Sequence, residues 1–336
     1  MTRQKDIADI QQSLESYATK NSGEYPTGIE SGTYKEICGE IIDTNCVNLS
    51  ILVPNYINRI PKDPNSNNYF IAINPINDSI SVWAKSAEQR EVAINFFDKD
   101  AAAYILAVQS ADGQSLEPKV RSAITNFIIG CKSDGIWESI KSSAIFSGAR
   151  TINGALIPLV GVSPTQFQFT GTDGGWTYDR KQGLRSNGKN YLRINRLNNA
   201  DPQNNNHNAL YVSAYSSGVV LGTFNLTDPR NTISSAAVRN RGNAYFNNAV
   251  IGFIGHSRNN SDSFEYRNNS LTNQINNVSG TPLETNLLLF RDGPTDGVAV
   301  NQSIVSFYSV GEALDLNKLD NRVTQLMLDF NNAIIQ

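Results

Sequence analysis

Two asparagine-rich segments hold the side chains best suited to ligand chemistry. In the first, Asn195 to Asn208, the candidate ligand-binding residues are Asn199, Asp201, Asn204 and Asn206. A carboxamide both donates and accepts hydrogen bonds, so it can grip adjacent sugar hydroxyls, and with Asp201 its oxygens suit Ca²⁺. The competing interpretation, which we favour, is that asparagine tolerates left-handed turns and solvates loops, because one carboxylate is little charge for a calcium site.

The second polar segment is a predicted loop around His256 and Arg258. Asn259, Asn260 and Asp262 follow at once. We take His256 and Arg258 as candidate ligand-binding residues, and Asp262 as the alternative to Asp201 if a metal is bound.

Aromatic residues offer a third candidate surface. Trp176, Tyr178, Tyr191 and Tyr211 could stack against a sugar ring, with Trp176 and Tyr178 the preferred pair. Most of them lie in or beside predicted strands, where an aromatic side chain is more often part of the core.

Catalysis is not expected. The chain has 2 histidines, with no Cys–His metal spacing, and none of the common nucleophile, phosphate-loop or zinc-helix motifs. A glycosidase needs two facing carboxylates, and Asp262 and Glu265 have an odd spacing that places them on opposite strand faces.

The charge balance gives no general attraction to nucleic acid. The net charge is −3, although residues 151–275 hold 11 Lys and Arg against 6 Asp and Glu. We read this excess as a scattered solvated surface, and DNA capture stays open as an alternative that predicts strong salt dependence.

The elements that would position these residues are short strands. From residue 151 the chain alternates apolar and polar residues between Gly, Asn, Ser and Pro spacers, which predicts an all-β sandwich or barrel. The predicted strands are 189–194, 207–213, 249–254, 263–267, 285–290 and 304–310. A helix with Leu316, Leu319, Val323, Leu326 and Phe330 on one stripe follows the last strand.

Residues 86–150 read as a helical linker or neck. Helices are predicted over 100–108 and over 117–129, with Pro118 in the first turn of the second, and a third is predicted to open at Asp134 as its N-cap. Such a bundle would hold the last domain away from the first.

Residues 1–85 predict a small α+β domain. Ile7, Ile10, Leu14 and Tyr17 form one helical stripe, which Gly23 and Pro26 end. Two apolar runs, 69–73 and 79–83, predict a hairpin around 74–78.

This order of features resembles the head of a type IV pilin or pseudopilin. The resemblance rests on the helix, Gly23-Glu24-Tyr25-Pro26, two cysteines, and the stretch from Leu52 to Pro64 that contains Ile60-Pro61-Lys62-Asp63-Pro64. The spacing of Cys38 and Cys46 suits a disulfide and matches the resemblance, which implies an oxidising, extracytoplasmic setting; two free thiols are the alternative. Cys131 reads as a buried apolar residue.

In pilins a long apolar segment precedes this helix and anchors the subunit in the membrane. The chain opens at Met1-Thr2-Arg3 without it, and we expect that the anchor has been trimmed from this sequence, with a pilin-derived head that has lost its anchor as the alternative. Membrane attachment would then depend on that missing segment alone.

Residues 101–333 resemble a concanavalin A-like, laminin G-like module of phage and bacterial surface proteins. The resemblance rests on Asp134-Gly-Ile-Trp137, Gly148-Ala-Arg-Thr151 and the terminal strand, turn and helix from Ser306. It implies a two-sheet jelly roll over 151–336 whose loops and concave face commonly bind carbohydrate, sometimes through calcium.

Together these features predict an extracellular filament subunit, a minor or tip pilin, that displays a lectin-like module for attachment. Its partners would be other pilin subunits and surface glycans. A structural coat subunit whose jelly roll contacts its neighbours and a phage-type receptor-binding protein remain open alternatives.

Overall fold

The computed structural model describes residues 2–29, 34–38, 46–64, 68–73, 80–84, 98–168, 175–223, 230–246, 251–291 and 300–334. The chain divides into two compact units, Met1–Ala102 and Ala103–Gln336. Among the described residues, no helix has the length and apolar character needed to cross a bilayer.

The first unit is a helix on a four-stranded sheet. Its elements are α1 (Thr2–Lys20), β1 (Tyr34–Ile37), β2 (Cys46–Val47), β3 (Tyr69–Ile73) and β4 (Ile80–Ala84). The strand order is β2-β1-β3-β4, with β1 and β2 parallel and the other pairs antiparallel. Ile10 and Leu14 of α1 are buried against Tyr69, Ile71 and Val82 of the sheet, because the helical stripe and alternate strand residues face each other. The predicted helix and the two hairpin strands are confirmed, whereas the predicted turn 74–78 and the first residue of the second strand, Ser79, lie outside the described residues.

A disulfide joins Cys38 to Cys46, as predicted. Cys38 directly follows β1, and Cys46 pairs with Glu36 of that strand, so strand pairing brings the two sulfur atoms together. The bridge closes the short segment between β1 and β2.

Two helices, and not the predicted three, precede the sandwich, and the first of them starts within the last residues of the first unit. They are α2 (Lys99–Asp112) and α3 (Pro118–Ser133). Asp134 caps the C-terminus of α3 and does not open a helix, because Gly135 adopts a φ of +72° that ends it. A short 3₁₀ turn, Trp137–Ser139, leads into β5 (Ile140–Ile145).

These segments belong to the body of the second unit, which differs from the predicted neck over 86–150. β5 pairs with the C-terminal strand of the larger sheet, and Phe127 of α3 packs edge-on against Phe307 of that strand at 5.7 Å. The sandwich therefore begins at Ile140 and not at residue 151.

Two antiparallel sheets form a β-sandwich. The strands in order are β5; β6 (Pro158–Val160), which follows the short helix α4 (Ile152–Ala155); β7 (Thr165–Gln168); β8 (Trp176–Asp179); β9 (Gly183–Ser186); β10 (Asn190–Leu197); β11 (Asn206–Ala214); β12 (Val219–Thr223); β13 (Asn231–Ser234); β14 (Ala237–Asn240); β15 (Tyr245–Phe246); β16 (Gly252–Arg258); β17 (Ser263–Asn268); β18 (Leu271–Asn276); β19 (Asn286–Leu289); and β20 (Ile304–Gly311). The smaller sheet has the order β15-β14-β13-β12-β19-β10-β7, and the larger has β18-β17-β16-β11-β20-β5-β6, with β9 pairing β20 and β8 pairing β9.

The core lies between the sheets, and a second apolar layer covers the larger sheet. Leu210, Ile254 and Tyr308 of the larger sheet meet Leu192, Ile233 and Leu289 of the smaller one. The predicted C-terminal helix, α5 (Leu316–Ala333), is confirmed, with its five stripe residues buried. It packs on α3 and on β16, so the outer face of the larger sheet is covered by helices.

Candidate site at the polar end of the sandwich

Strand pairing brings the two predicted polar segments together. β11 and β16 are neighbours, with Asn206 opposite Arg258 and Asn208 opposite His256. All four side chains are buried and share the inner face with Leu210 and Ile254. The predicted strand 207–213 is confirmed and extends to Asn206, and the predicted loop at 256–258 is part of a strand. Asn206, His256 and Arg258 therefore lie inside the sandwich.

Asn240 of β14 and Asn231 of β13 complete this interior group from the opposite sheet. We call these six residues, Asn206, Asn208, Asn231, Asn240, His256 and Arg258, the polar end. Sequence reasoning missed Asn231 and Asn240, although both follow the alternation that places Ile233 and Val238 in the core.

Arg258 fixes the backbone of two loops. Its side chain is fully buried, and burial lowers the pKa of its guanidinium. The Nη atoms donate to the carbonyl oxygens of Asn260, Ser261 and Ser263, of Asn240 and of Asn277, at 2.9 to 3.2 Å. The planar fork thus ties the 259–263 turn to the segment after β18, with the five carbonyls sharing one positive charge.

Arg241 does the same for the first asparagine-rich loop. Its Nη1 atom donates to the carbonyl of Pro202 at 2.5 Å and its Nη2 atom to that of Asn198. The backbone carbonyl of Arg241 accepts from the N–H of Gly280 at 2.7 Å. Arg241 is a residue that sequence reasoning missed, and it links the 198–205 loop to the 277–281 segment.

Asp201 is engaged in an ion pair and does not face an open cation site. Both of its carboxylate oxygens accept from Arg196, at 2.9 Å from Nε and 2.5 Å from Nη2, and the carboxylate is buried. Asp262 is exposed and accepts from the Ser261 hydroxyl. Within the described ranges, no group of three His, Cys, Asp or Glu side chains is arranged to hold a metal ion.

The surface of the polar end presents carboxamides in fixed loops. Asn199 and Asn259 are exposed. Asn204 accepts from the Ser279 hydroxyl at 2.6 Å, and Asn260 accepts from the N–H groups of Asp262 and Ser263 as a turn cap. The predicted candidate Asn199 is thus well placed to meet a ligand, as is Asn259, whose Oδ1 atom also accepts from Asn260 Nδ2 at 3.0 Å.

The four aromatic candidates do not form one platform. Trp176 packs on the core residue Phe290 at 5.5 Å, and the Tyr178 hydroxyl donates to the carbonyl of Ala149 at 2.7 Å. Tyr191 stacks on Phe167 on the outer face of the smaller sheet, and Tyr211 lies on the outer face of the larger one. These four side chains therefore pack at separate places in the structure, in line with the interpretation that aromatic residues in strands contribute to packing.

No protein-family model and no curated protein matches this sequence. Solved structures resemble it distantly. Domain 4 of AbnA, an extracellular GH43 arabinanase of Geobacillus stearothermophilus in complex with arabinotriose, is 14% identical over 55% of this chain and 98% of that chain, with a TM-score of 0.36. The binding domain of botulinum neurotoxin serotype D is 11% identical over 56% of this chain and 51% of its own, with a TM-score of 0.38. The enzymatically active domain of bacteriophage CBA120 tailspike protein 2 is 13% identical over 49% and 30%, with a TM-score of 0.29. At these scores the similarities carry no functional argument.

Proposed function

We propose that this protein is an extracellular attachment subunit whose β-sandwich binds carbohydrate through the loops of its polar end. The observation that carries the proposal is the pair of buried arginines. The guanidiniums of Arg241 and Arg258 donate hydrogen bonds to backbone carbonyl oxygens in three surface segments, 198–202, 260–263 and 277.

A buried guanidinium costs free energy unless hydrogen bonds compensate for its lost hydration. Loop conformations that lose these carbonyl contacts are therefore disfavoured, and one arrangement of the loops is stabilised. Loops fixed before binding lose little conformational entropy when a ligand arrives. Carboxamides such as those of Asn199 and Asn259 can donate to and accept from adjacent hydroxyls of one sugar.

The first unit is proposed as a pilin-like head with other pilin subunits as partners. Its α1-on-sheet arrangement, the Cys38–Cys46 disulfide and the Ile60-Pro61-Lys62-Asp63-Pro64 stretch support this. The disulfide also supports an extracytoplasmic location, because such bonds persist in oxidising compartments.

We propose binding without catalysis. Glu265 lies on the outer face of the larger sheet beside Asp315, where burial raises its pKa, whereas Asp262 lies in an exposed turn. These two carboxylates therefore do not face each other across a cleft.

The test is binding of the full chain to a broad glycan panel, with calcium and then with chelator. We expect specific hits that survive chelation, because both oxygens of Asp201 are engaged by Arg196. The double variant Asn199→Ala/Asn259→Ala should weaken binding at least tenfold. The matched control Asn126→Ala/Asn331→Ala removes exposed carboxamides from α3 and α5 and should leave affinity unchanged. Equal loss in both variants, or no hits, would count against the carbohydrate site.

A structural role is the second candidate, favoured by β18. This strand is an edge of the larger sheet, and its residues, Leu-Thr-Asn-Gln-Ile-Asn, include no charge or proline, the usual protections of a free edge. Two results would favour this role: ordered self-association of the chain that Asn273→Pro abolishes, and no binding to any glycan on the panel.

A further inference from the structure

The interior of the sandwich changes character along its length. On four strands, the inner face passes from an apolar residue to a polar one in the same direction. The pairs are Leu210 and Asn208, Ile254 and His256, Ile233 and Asn231, and Val238 and Asn240. The side chain of Asn240 contacts both His256 and Arg258, so the polar positions of the two sheets face one another.

Hydrogen bonding fixes the tautomer of His256. Arg258 Nε can only donate, so the Asn240 atom that it meets at 2.9 Å is the carbonyl oxygen. The Asn240 amide nitrogen therefore donates to His256 Nδ1 at 2.9 Å. Burial and the nearby guanidiniums lower the pKa of His256 to about 3, so the ring is neutral and its proton sits on Nε2.

The Nε2–H group of His256 is buried and makes no hydrogen bond of ordinary geometry to the protein, and the backbone of Thr232, which acts to raise the pKa of the ring, is its nearest protein partner. Both polar atoms of the Asn208 side chain, directly opposite on β11, lack a protein partner, as do the side-chain oxygens of Asn206 and Asn231. These residues are all at least nine-tenths buried. One end of the interior thus holds two donors and three acceptors that require hydrogen-bonding partners.

Because the unpaired groups include both donors and acceptors, they favour a neutral ligand over a cation or an anion. A cation would be repelled by the buried charges of Arg241 and Arg258. An anion would face three carbonyl oxygens. A neutral molecule that donates and accepts satisfies both sets, and water is the smallest such molecule.

The spacing also suits water. Directly opposed residues on antiparallel strands have Cβ atoms roughly 5 Å apart, so the ring of His256 and the carboxamide of Asn208 border the same part of the interior, where one water molecule can bridge them. We propose that the polar end binds a small cluster of ordered internal waters, one of which accepts from His256 Nε2–H and donates to Asn208. This site is separate from the carbohydrate surface proposed for the loops.

The experiment is a high-resolution crystal structure of the full chain grown in sodium bromide. We expect oxygen density without anomalous signal at hydrogen-bonding distance from His256 Nε2 and the Asn208 side chain. An anomalous bromide peak would assign the site to an anion, and a direct His256–Asn208 hydrogen bond or an empty interior would overturn the proposal.

A solution measurement avoids any dependence on crystals. Magnetic relaxation dispersion of water oxygen-17 counts long-lived internal waters. Asn208→Leu should reduce the count by at least one relative to the wild type, whereas Asn243→Leu, at an exposed loop position, should leave it unchanged. A wild-type chain without long-lived waters would refute the proposal even if Asn208→Leu failed to fold.

Discussion

His207 and His256 lie on adjacent strands and are held in opposite tautomers. His207 Nδ1 meets the backbone carbonyl of Glu312 at 2.5 Å, so it carries the proton, and Nε2 accepts from the Ser309 hydroxyl at 2.8 Å. His256 accepts at Nδ1 from Asn240 and carries its proton on Nε2. Each ring is fully buried, on opposite faces of the larger sheet.

Nitrogen-15 NMR of the imidazoles tests this relationship. We expect one Nδ1–H and one Nε2–H tautomer, both neutral at pH 6, because hydrogen-bond partners decide which nitrogen holds the proton. His207→Asn assigns the remaining signals to His256. Two identical tautomers, or a protonated ring at pH 6, would contradict the structure.

Stability should fall as the solution becomes mildly acidic. Burial is the main cause that lowers the pKa of His207 to about 4 and that of His256 to about 3, from an ordinary value of 6.5. Below pH 6.5 the unfolded chain binds protons that the folded chain refuses, so the free energy of unfolding decreases with falling pH, by about 1.4 kcal/mol for each pH unit and histidine at most.

Urea unfolding between about pH 7.5 and pH 5 measures this slope, since most carboxylates stay ionised there. His207→Asn should remove its share of the slope. A flat free energy of unfolding across this range would show that the rings titrate normally.

The ion pair between Asp320 on α5 and Arg267 on β17 should matter more than the pair between Asp134 and Arg322. Arg267 Nε donates to Asp320 at 2.7 Å with both side chains buried, whereas Arg322 and Asp134 are partly exposed. Asp320→Ala leaves an unpaired guanidinium beneath the helix and should cost about 3–5 kcal/mol.

The matched change Asp134→Ala should cost about 1 kcal/mol or less, because water screens the exposed pair. Chemical denaturation of the two variants gives the comparison. Equal losses would mean that burial of the Asp320–Arg267 pair does not determine its contribution.

The three cysteines should react in a fixed order. Cys131 is fully buried, and burial raises the pKa of its thiol to about 12, so the native protein should take up no alkylating reagent. Unfolding without reductant should expose one thiol, and unfolding with reductant all three. Intact mass after iodoacetamide treatment counts them, and three labels without reductant would exclude the disulfide.

Arg258→Lys should loosen the loops of the polar end. A lysine cannot present a planar fork to the carbonyls that Arg258 meets, so we expect a loss of at least about 2 kcal/mol. Hydrogen exchange should quicken at residues 259–263 and 277–280. Arg185→Lys, at an exposed position, is the control and should change stability by about 0.5 kcal/mol or less.

Periodicity predicted most elements but not the burial of the asparagines. The stripe on α5 and the alternation in β11 each follow from one-sided burial, and both are observed. Asn206 and Asn208 continue the alternation of Leu210 and Val212, and this spacing was the signal that they face inward. Composition pointed instead to a solvated loop, because asparagine is usually exposed.

The partners of the polar end could not be predicted from local sequence. Asn240 meets His256 and Arg258 across the gap between two sheets, and such contacts depend on tertiary packing alone. The prediction of a third helix was wrong for a local reason, because Gly135 ends α3. Residues Ile140–Ile145, a few positions later, instead form a strand that pairs with β20.

The position of β20 sets the order in which this unit can be completed during synthesis. It lies between β11 and β5, so the middle of the larger sheet is contributed by residues 304–311, which are translated after every other described strand of the sandwich. Until these residues leave the ribosome, the strand that joins β5 to β11 is absent, and α5 does not yet cover the outer face of the larger sheet. The growing sandwich is thus exposed to aggregation until this strand and α5 have been made, and loss of residues 304–333 would remove the sheet's centre and its cover together.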